Sequence, residues 1–273
     1  VELTSENYYS RQSAMEYLSA SQIKSFIGCP AVPGCEERAL AELTGEYIAP
    51  VTDALLIGSL VDVLLTGTDE EVERFTATHP EMYSSRGKTV GQLKSQYAHA
   101  YAMVDRAKRD SFFMRTLEGR KQVILTGELF GHPCKAKLDV LGDKYITDLK
   151  TTKSINQGFW DKEQKRTLSF VEAYSYDLQA AIYVELVRQN TGKTLPFFLS
   201  VISKESEPDI EVINIDYDSQ QAALEAVRPY IDNIVALKNG EAIPTRCGHC
   251  EWCRRTKVLT KPISWLEIGG TLD

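Results

Sequence analysis

Three residues within one short stretch are of the types that cleave phosphodiesters together: Asp139, Asp148 and Lys150. Asp148 and Lys150 stand two apart in Tyr145-Ile146-Thr147-Asp148-Leu149-Lys150, a run with strand character. A side-chain period of two puts both on one face of a sheet. Gly142-Asp143 reads as a hairpin turn back to a second strand, Cys134 to Val140, so Asp139 can lie close to that face. Two carboxylates converging at a strand end form a hard oxygen site suited to Mg²⁺ or Mn²⁺. A lysine beside them can orient or deprotonate a water and offset phosphate charge. Glu128, next to the preceding strand, is placed to complete the site as a further ligand. An isolated D-x-K is common on protein surfaces, so the context has to carry the weight.

A second chemistry is written in Cys247-x-x-Cys250-x-x-Cys253. Three soft thiolates in so short a run suit Zn²⁺ or an iron–sulfur cluster, and a fourth ligand must come from elsewhere. His249 is one local candidate for zinc. The polar start, without a basic–apolar–small leader pattern, sets the expectation of a soluble, cytoplasmic protein whose cysteines hold metal rather than disulfides. No apolar run reaches the roughly 18 residues a membrane span needs.

The elements that must position these residues are legible as patterns. Ser19 or Ser21 caps a helix through Gln22–Ile27, which Gly28, Pro30, Pro33 and Gly34 break. Further helices are expected over Glu36–Leu43 and Asp53–Leu65, with a charged, mainly helical stretch over 69–120. Strands follow at Lys121–Leu125, Cys134–Val140 and Tyr145–Lys150. Then come a helix at Asp177–Gln189, strands at Leu195–Ser203 and Ile210–Ile215, and a long amphipathic helix at Gln220–Lys238. This order predicts an α/β (α+β) fold: a central mixed sheet flanked by helices, behind a helical N-terminal region. The chain of 273 residues is expected to form a single domain over 1–273, with a mainly helical part over 1–120, a core over 121–240 and a cysteine-rich segment over 241–273.

The net charge of −7 argues weakly against a nonspecific nucleic-acid binder, but a metal site collects carboxylates and reverses the local sign. Arg106, Lys108 and Arg109 form one basic group, and Lys162, Lys165 and Arg166 another; either could line a DNA path. Phe159, Trp160, Tyr174 and Tyr176 could stack on unpaired bases.

Lys137-Leu138-Asp139-Val140 followed by Ile146-Thr147-Asp148-Leu149-Lys150-Thr151-Thr152 resembles the PD-(D/E)XK nuclease signature, in its RecB-like branch. Gln179-Ala180-Ala181-Ile182-Tyr183 resembles that branch's Q-x-x-x-Y motif, and Gly58-Ser59-Leu60-Val61-Asp62 its G-x-x-x-H motif. Asp62 departs from the histidine usual there, though an aspartate can still ligate Mg²⁺. The resemblance implies a restriction-endonuclease-like core, Mg²⁺ held by Asp62, Asp139 and Asp148, and catalysis that also draws on Lys150, Gln179 and Tyr183. Ser19-Ala20-Ser21-Gln22 through Cys29-Pro30 resembles the opening segment of iron–sulfur nucleases, among them the AddB helicase–nucleases and the CRISPR adaptation nucleases. That implies a 4Fe–4S cluster on Cys29, Cys247, Cys250 and Cys253. Cys35 is a rival to Cys29, and Zn²⁺ is the alternative occupant. Cys134 reads as a core cysteine.

The segments Leu18–Gln22, Ala39–Leu43 and Gly58–Asp62 most resemble phage and prophage RecE-type exonucleases (exonuclease VIII). No G-x-x-x-x-G-K-[ST] is present, so no ATP-driven motor is expected. The resemblance implies digestion of linear double-stranded DNA from its ends, 5′ to 3′. It also implies a homo-oligomeric ring around the duplex and delivery of the 3′ strand to a RecT-like annealing protein in phage-type DNA recombination. The rival expectations are a CRISPR-adaptation-like nuclease and a catalytically inactive DNA-binding module.

Overall fold

A computed structural model describes residues 2–162 and 164–265. Its centre is a five-stranded sheet: β1 (Arg120–Leu129), β2 (His132–Leu141), β3 (Ile146–Thr152), β4 (Phe197–Ser203) and β5 (Ile210–Ile215), lying side by side in chain order. β1, β2 and β3 form an antiparallel meander; β3 and β4 run parallel, with Asp148 beside Leu199; β5 returns antiparallel at the edge. The parallel pair requires a crossover, and residues 153–196 supply it. The crossover holds a small ribbon, Phe159–Asp161 with Arg166–Leu168, and a long helix.

Six helices matter for the site: α1 (Ala20–Ile27), α2 (Glu36–Thr44), α3 (Asp53–Thr66), α4 (Ser95–Lys108), α5 (Tyr176–Thr191) and α6 (Tyr217–Asn239). Of these, α1, α3 and α6 begin on a side-chain cap, and at α1 it is Ser19, one of the two serines the sequence offered. Ser19 Oγ accepts from Gln22 N at 3.4 Å, and Thr52 Oγ1 from Leu55 N at 3.3 Å. Apolar residues then sort the helices onto the two faces of the sheet. On one face Leu138, Ile146, Leu199 and Val201 pack with Ile23 of α1, Ile182 of α5 and Ile231 of α6. On the other, Val140, Leu149 and Ile202 pack with Leu60 and Val61 of α3 and Met103 of α4. The result is a helix–sheet–helix sandwich in which α3 and α5 cover opposite faces of β3. Among the described residues no helix is long and apolar enough to cross a membrane.

The helical N-terminal part, the core expected at 121–240 and the described residues of the cysteine-rich segment, 241–265, interlock. α1, from the helical N-terminal part, belongs to the same core as β2 and α5. Cys35 and Ala41 share a small cluster with Trp252 and Cys253 from the other end of the chain.

Candidate active site

The ladder between β2 and β3 is short. It pairs Leu141 with Ile146 and Val140 with Thr147, then stops just where Asp139 would face Asp148. The Leu149 N–H is taken instead by Asp139 Oδ2 at 2.9 Å. A second irregularity lies on the other side of β2. The β1–β2 ladder skips Gln122 and Asp139 between the pairs Lys121–Val140 and Val123–Leu138. Gln122 has φ of 51°, the left-handed region that non-glycine residues rarely adopt. Leu138 and Val140 pack on opposite faces of the sheet, although a regular strand would put residues two apart on the same face. The chain therefore switches face at Asp139, and this distortion brings a β2 carboxylate into the gap beside β3.

Period two holds on β3 itself. Asp148 and Lys150 share the face covered by α5, and the Lys150 amine forms an ion pair with Asp148 Oδ2. The other oxygen, Asp148 Oδ1, accepts from Gln179 Nε2 at 2.7 Å. Tyr183, one turn along α5, is half-buried beside Gln179, and its hydroxyl donates to the Lys137 carbonyl at 3.2 Å. Gln179 and Tyr183 thus fix the direction of the Asp148 carboxylate and the position of β2, rather than facing open solvent.

Asp62 arrives from the opposite side, on α3. Its Oδ1 accepts from Thr66 Oγ1 at 3.0 Å and its Oδ2 from Gln122 Nε2 at 3.3 Å. One turn before it, a Cβ at Gly58 would sit 3.2 Å from Thr151 Oγ1 on β3. Glycine at that position is what allows the helix to lie close enough for Asp62 to reach the sheet.

Three carboxylates from three elements now act on one another electrostatically, Asp62 and Asp139 at the cleft wall and Asp148 buried behind them. Burial pushes Asp139 well above the ordinary carboxylate range, and its neighbours Asp148 and Asp62 push it further, against the pull of Lys150. Asp62 is raised for the same reasons: burial first, then Asp148, partly opposed by the Thr66 hydrogen bond. Burial alone would lower Lys150, but Asp148 and Asp139 outweigh it and keep the amine protonated above its ordinary value. The three acids outnumber the single ammonium that touches them, and the donor set is all hard oxygen. Those residues fit a divalent cation of the Mg²⁺ class.

The cleft above them, about 720 Å³, is lined by Asp62, Asp139, Lys150, Phe159, Tyr174 and Tyr176 among others. The Lys150 amine lies 5.5 Å from the centre of the Tyr176 ring. Lys24 of α1 approaches the same ring at 5.2 Å and donates to the Tyr174 carbonyl. Trp160 is on the exposed side of the ribbon at the cleft edge, 65% accessible. The ribbon also carries Arg166, already paired with Glu172 at 2.7 Å.

Two expected site residues lie elsewhere. Glu128 pairs with Pro133 at the far end of the β1–β2 hairpin, six residues along β2 from Asp139. At about 3.4 Å per residue that is roughly 20 Å from the acids. Its backbone is clamped to the side chain of Gln189, its N–H donating to Oε1 and its carbonyl accepting from Nε2, both at 2.8 Å. β1 runs ten residues, Arg120–Leu129, twice the length its sequence suggested, and this carries Glu128 away.

Cys29 is the other correction. Among the described residues it is Cys35, not Cys29, that joins Cys247, Cys250 and Cys253, with all four sulfurs within 4.8 Å of one another, a tighter spacing than the three carboxylates have. Gly28, at φ of 85°, opens a tight ribbon that pairs Cys29 with Val32 and Gly28 with Pro33. This turns Cys29 toward Lys24 and Tyr176 and returns Cys35, buried, to the start of α2. Cys134 is fully buried in the main core, as expected.

Gln122 and Thr66, which hold Asp62, carry no motif. The one visible signal for Thr66 was its place one turn after Asp62 on the same helix. Gln122 depends on a backbone distortion that no pattern announces.

A split meander carrying two aspartates and a lysine, with Gln179 from a helix on one face and Asp62 from a helix on the other, is the arrangement that the resemblance to the PD-(D/E)XK class implied. The chain matches, over residues 19–256, the family described as a PDDEXK-like domain of unknown function (DUF3799), and it belongs to that family. It is also similar, over 100% of both chains at 39% identity and a TM-score of 0.93, to a crystal structure from Eubacterium rectale whose protein is named "putative exonuclease". No curated protein matches it. Fold and relatives together support a nuclease.

Proposed function

We propose that the protein is a divalent-metal-dependent deoxyribonuclease that digests linear duplex DNA from its ends. The observation that carries the reading is the convergence of Asp62, Asp139 and Asp148 from three elements, with Lys150 against Asp148. When bound there, Mg²⁺ or Mn²⁺ would supply positive charge to the scissile phosphate and lower the pKa of an attacking water. Asp139 and Asp148 would hold the ion from the sheet and Asp62 from α3. Gln179 keeps Asp148 from rotating out of that role. Lys150, protonated in this setting, donates hydrogen bonds to a water or a phosphate oxygen and offsets charge developing there. Phe159, Tyr174 and Tyr176 offer ring faces at the cleft wall for a base freed from the duplex.

The name of the E. rectale protein and the RecE-like segments support action from an end. The same segments support 5′ to 3′ polarity, a ring around the duplex, and hand-over of the 3′ strand to a RecT-like annealing protein. In the experiment, linear and covalently closed duplexes are incubated with Mg²⁺ or EDTA, using the wild-type protein and Lys150→Ala. Mg²⁺-dependent loss of linear DNA alone is expected, reduced at least about 10²-fold in the variant. Duplexes blocked at one 5′ or one 3′ end read the polarity. Cutting of closed circles would replace the exonuclease with an endonuclease. Absence of cleavage by the folded, metal-supplied protein would leave a DNA-binding module.

A further inference from the structure

The iron–sulfur resemblance implies a cube of four irons and four sulfides, each cysteine binding a different iron. The cysteine sulfurs of such a cluster lie outside the cube and must stand well apart. A single ion with four thiolates is far smaller. Sulfurs at about 2.3 Å from a tetrahedral Zn²⁺ are only about 3.8 Å from one another.

The four sulfurs here have the smaller spacing. Cys35 Sγ is 3.6 Å from Cys253 Sγ, and Cys247 Sγ is 3.9 Å from Cys253 Sγ. All six separations fall within 4.8 Å, which leaves no room for a cube between them. The local backbone supports thiolates. The Cys250 N–H donates to Cys247 Sγ at 3.3 Å, and the Cys253 N–H to Cys250 Sγ at 3.4 Å. These N–H···S bonds come from a tight turn at Gly248, φ of 77°, that leads into the short helix Glu251–Arg255. They stabilise the negative charge that a soft dication neutralises. Cys35, at the start of α2 and buried, closes the fourth vertex from the other end of the chain.

We propose that Cys35, Cys247, Cys250 and Cys253 form a structural site for one tetrahedral ion of the zinc class, and that the four-iron cluster does not fit this chain. The inference stands apart from the nuclease reading, since nothing in it depends on DNA cleavage.

Its test is elemental analysis and spectroscopy of the full chain purified both aerobically and without oxygen. One zinc per chain and no visible absorption are expected in both preparations. Cys29→Ser should keep that stoichiometry and Cys35→Ser should lose it. Because Cys35→Ser could fail to fold, Co²⁺ exchanged into the wild-type protein gives a second readout. Intense visible ligand-field bands with thiolate charge transfer mark a tetrahedral all-sulfur site. Four irons and four sulfides per chain in the anaerobic preparation, with the broad brown absorption of a cluster, would overturn the proposal. So would a folded protein that holds neither metal, or retention of zinc by a folded Cys35→Ser variant.

Discussion

Asp139 shows what the site costs the fold. It sits half-buried at the cleft wall beside two other carboxylates, with one backbone N–H and the field of Lys150 as compensation. Its raised pKa fixes the sign of the consequence. A carboxyl that binds its proton more tightly folded than unfolded contributes most below its unfolded value, about 4, and that contribution is lost as pH rises through the folded value. In EDTA the wild-type protein should therefore lose stability from this group as pH climbs out of the acid range. Asp139→Asn should flatten that slope and be the more stable protein at pH 7, although inactive. Mg²⁺ should raise the urea midpoint of the wild type more than that of the variant. A variant that is no more stable than wild type in EDTA at pH 7 would mean that the Leu149 hydrogen bond outweighs the repulsion. Asp148 and Lys150 could be read from sequence because strand periodicity is local: two residues apart means one face. Gln122 could not, because its role rests on a single positive φ and on a helix sixty residues earlier in the chain. Cys29 and Cys35 are separated by a loop too tight for spacing alone to say which thiol turns inward.

At the scale of elements, the site is an agreement between α3 and β3. α3 was legible from its apolar rhythm, but its distance from the sheet is set by what Gly58 lacks. Adding a methyl there places carbon 3.2 Å from Thr151 Oγ1, closer than such contacts normally come. Gly58→Ala should strengthen the helix by about 1 kcal/mol of intrinsic propensity and yet push Asp62 off the site. Cleavage is expected to fall about tenfold, since small displacements of a catalytic group are expensive in rate. Thr151→Ala removes the obstructing oxygen, so Gly58→Ala combined with Thr151→Ala should recover most of that loss. Kinetics of the two single variants and the double variant decide it. If the double variant is no faster than Gly58→Ala, the glycine serves something other than helix approach. The misplacement of Glu128 is also an element-scale matter. The length of a hairpin is set by how far two strands keep pairing, and the β1 sequence does not mark that it continues through Thr126 and Gly127 to a turn at Phe130 and Gly131.

Over the whole molecule, the two ends of the chain meet at α2. The Glu36 carboxylate accepts from Thr245 N at 2.7 Å and from Thr245 Oγ1 at 2.8 Å; Arg246 pairs with Glu37 at 2.6 Å; the Tyr47 hydroxyl donates to Glu251 at 2.8 Å. These polar contacts are exposed or half-buried, and such contacts contribute little one by one. The cysteine site joins residues 218 positions apart, and closing so long a loop through one ion removes much of the freedom of the unlinked segment. The sheet depends on none of this: of residues 241–265 only Ala242 packs against its main core. Stripping the ion with a strong chelator should therefore free residues 245–265 while the sandwich stays folded. Brief trypsin treatment with chelator should cut first after Arg246, Arg254, Arg255 or Lys257, leaving a fragment that spans β1 to α6 with its circular dichroism nearly unchanged. The same cuts should be slow in the metal-loaded protein. If chelation instead melts the whole chain in one transition, then α2 transmits the loss through α1 into the core, and the thiolate site has to be counted among the supports of the carboxylate site. That outcome would tie nuclease activity to the ion without any contact between the two centres.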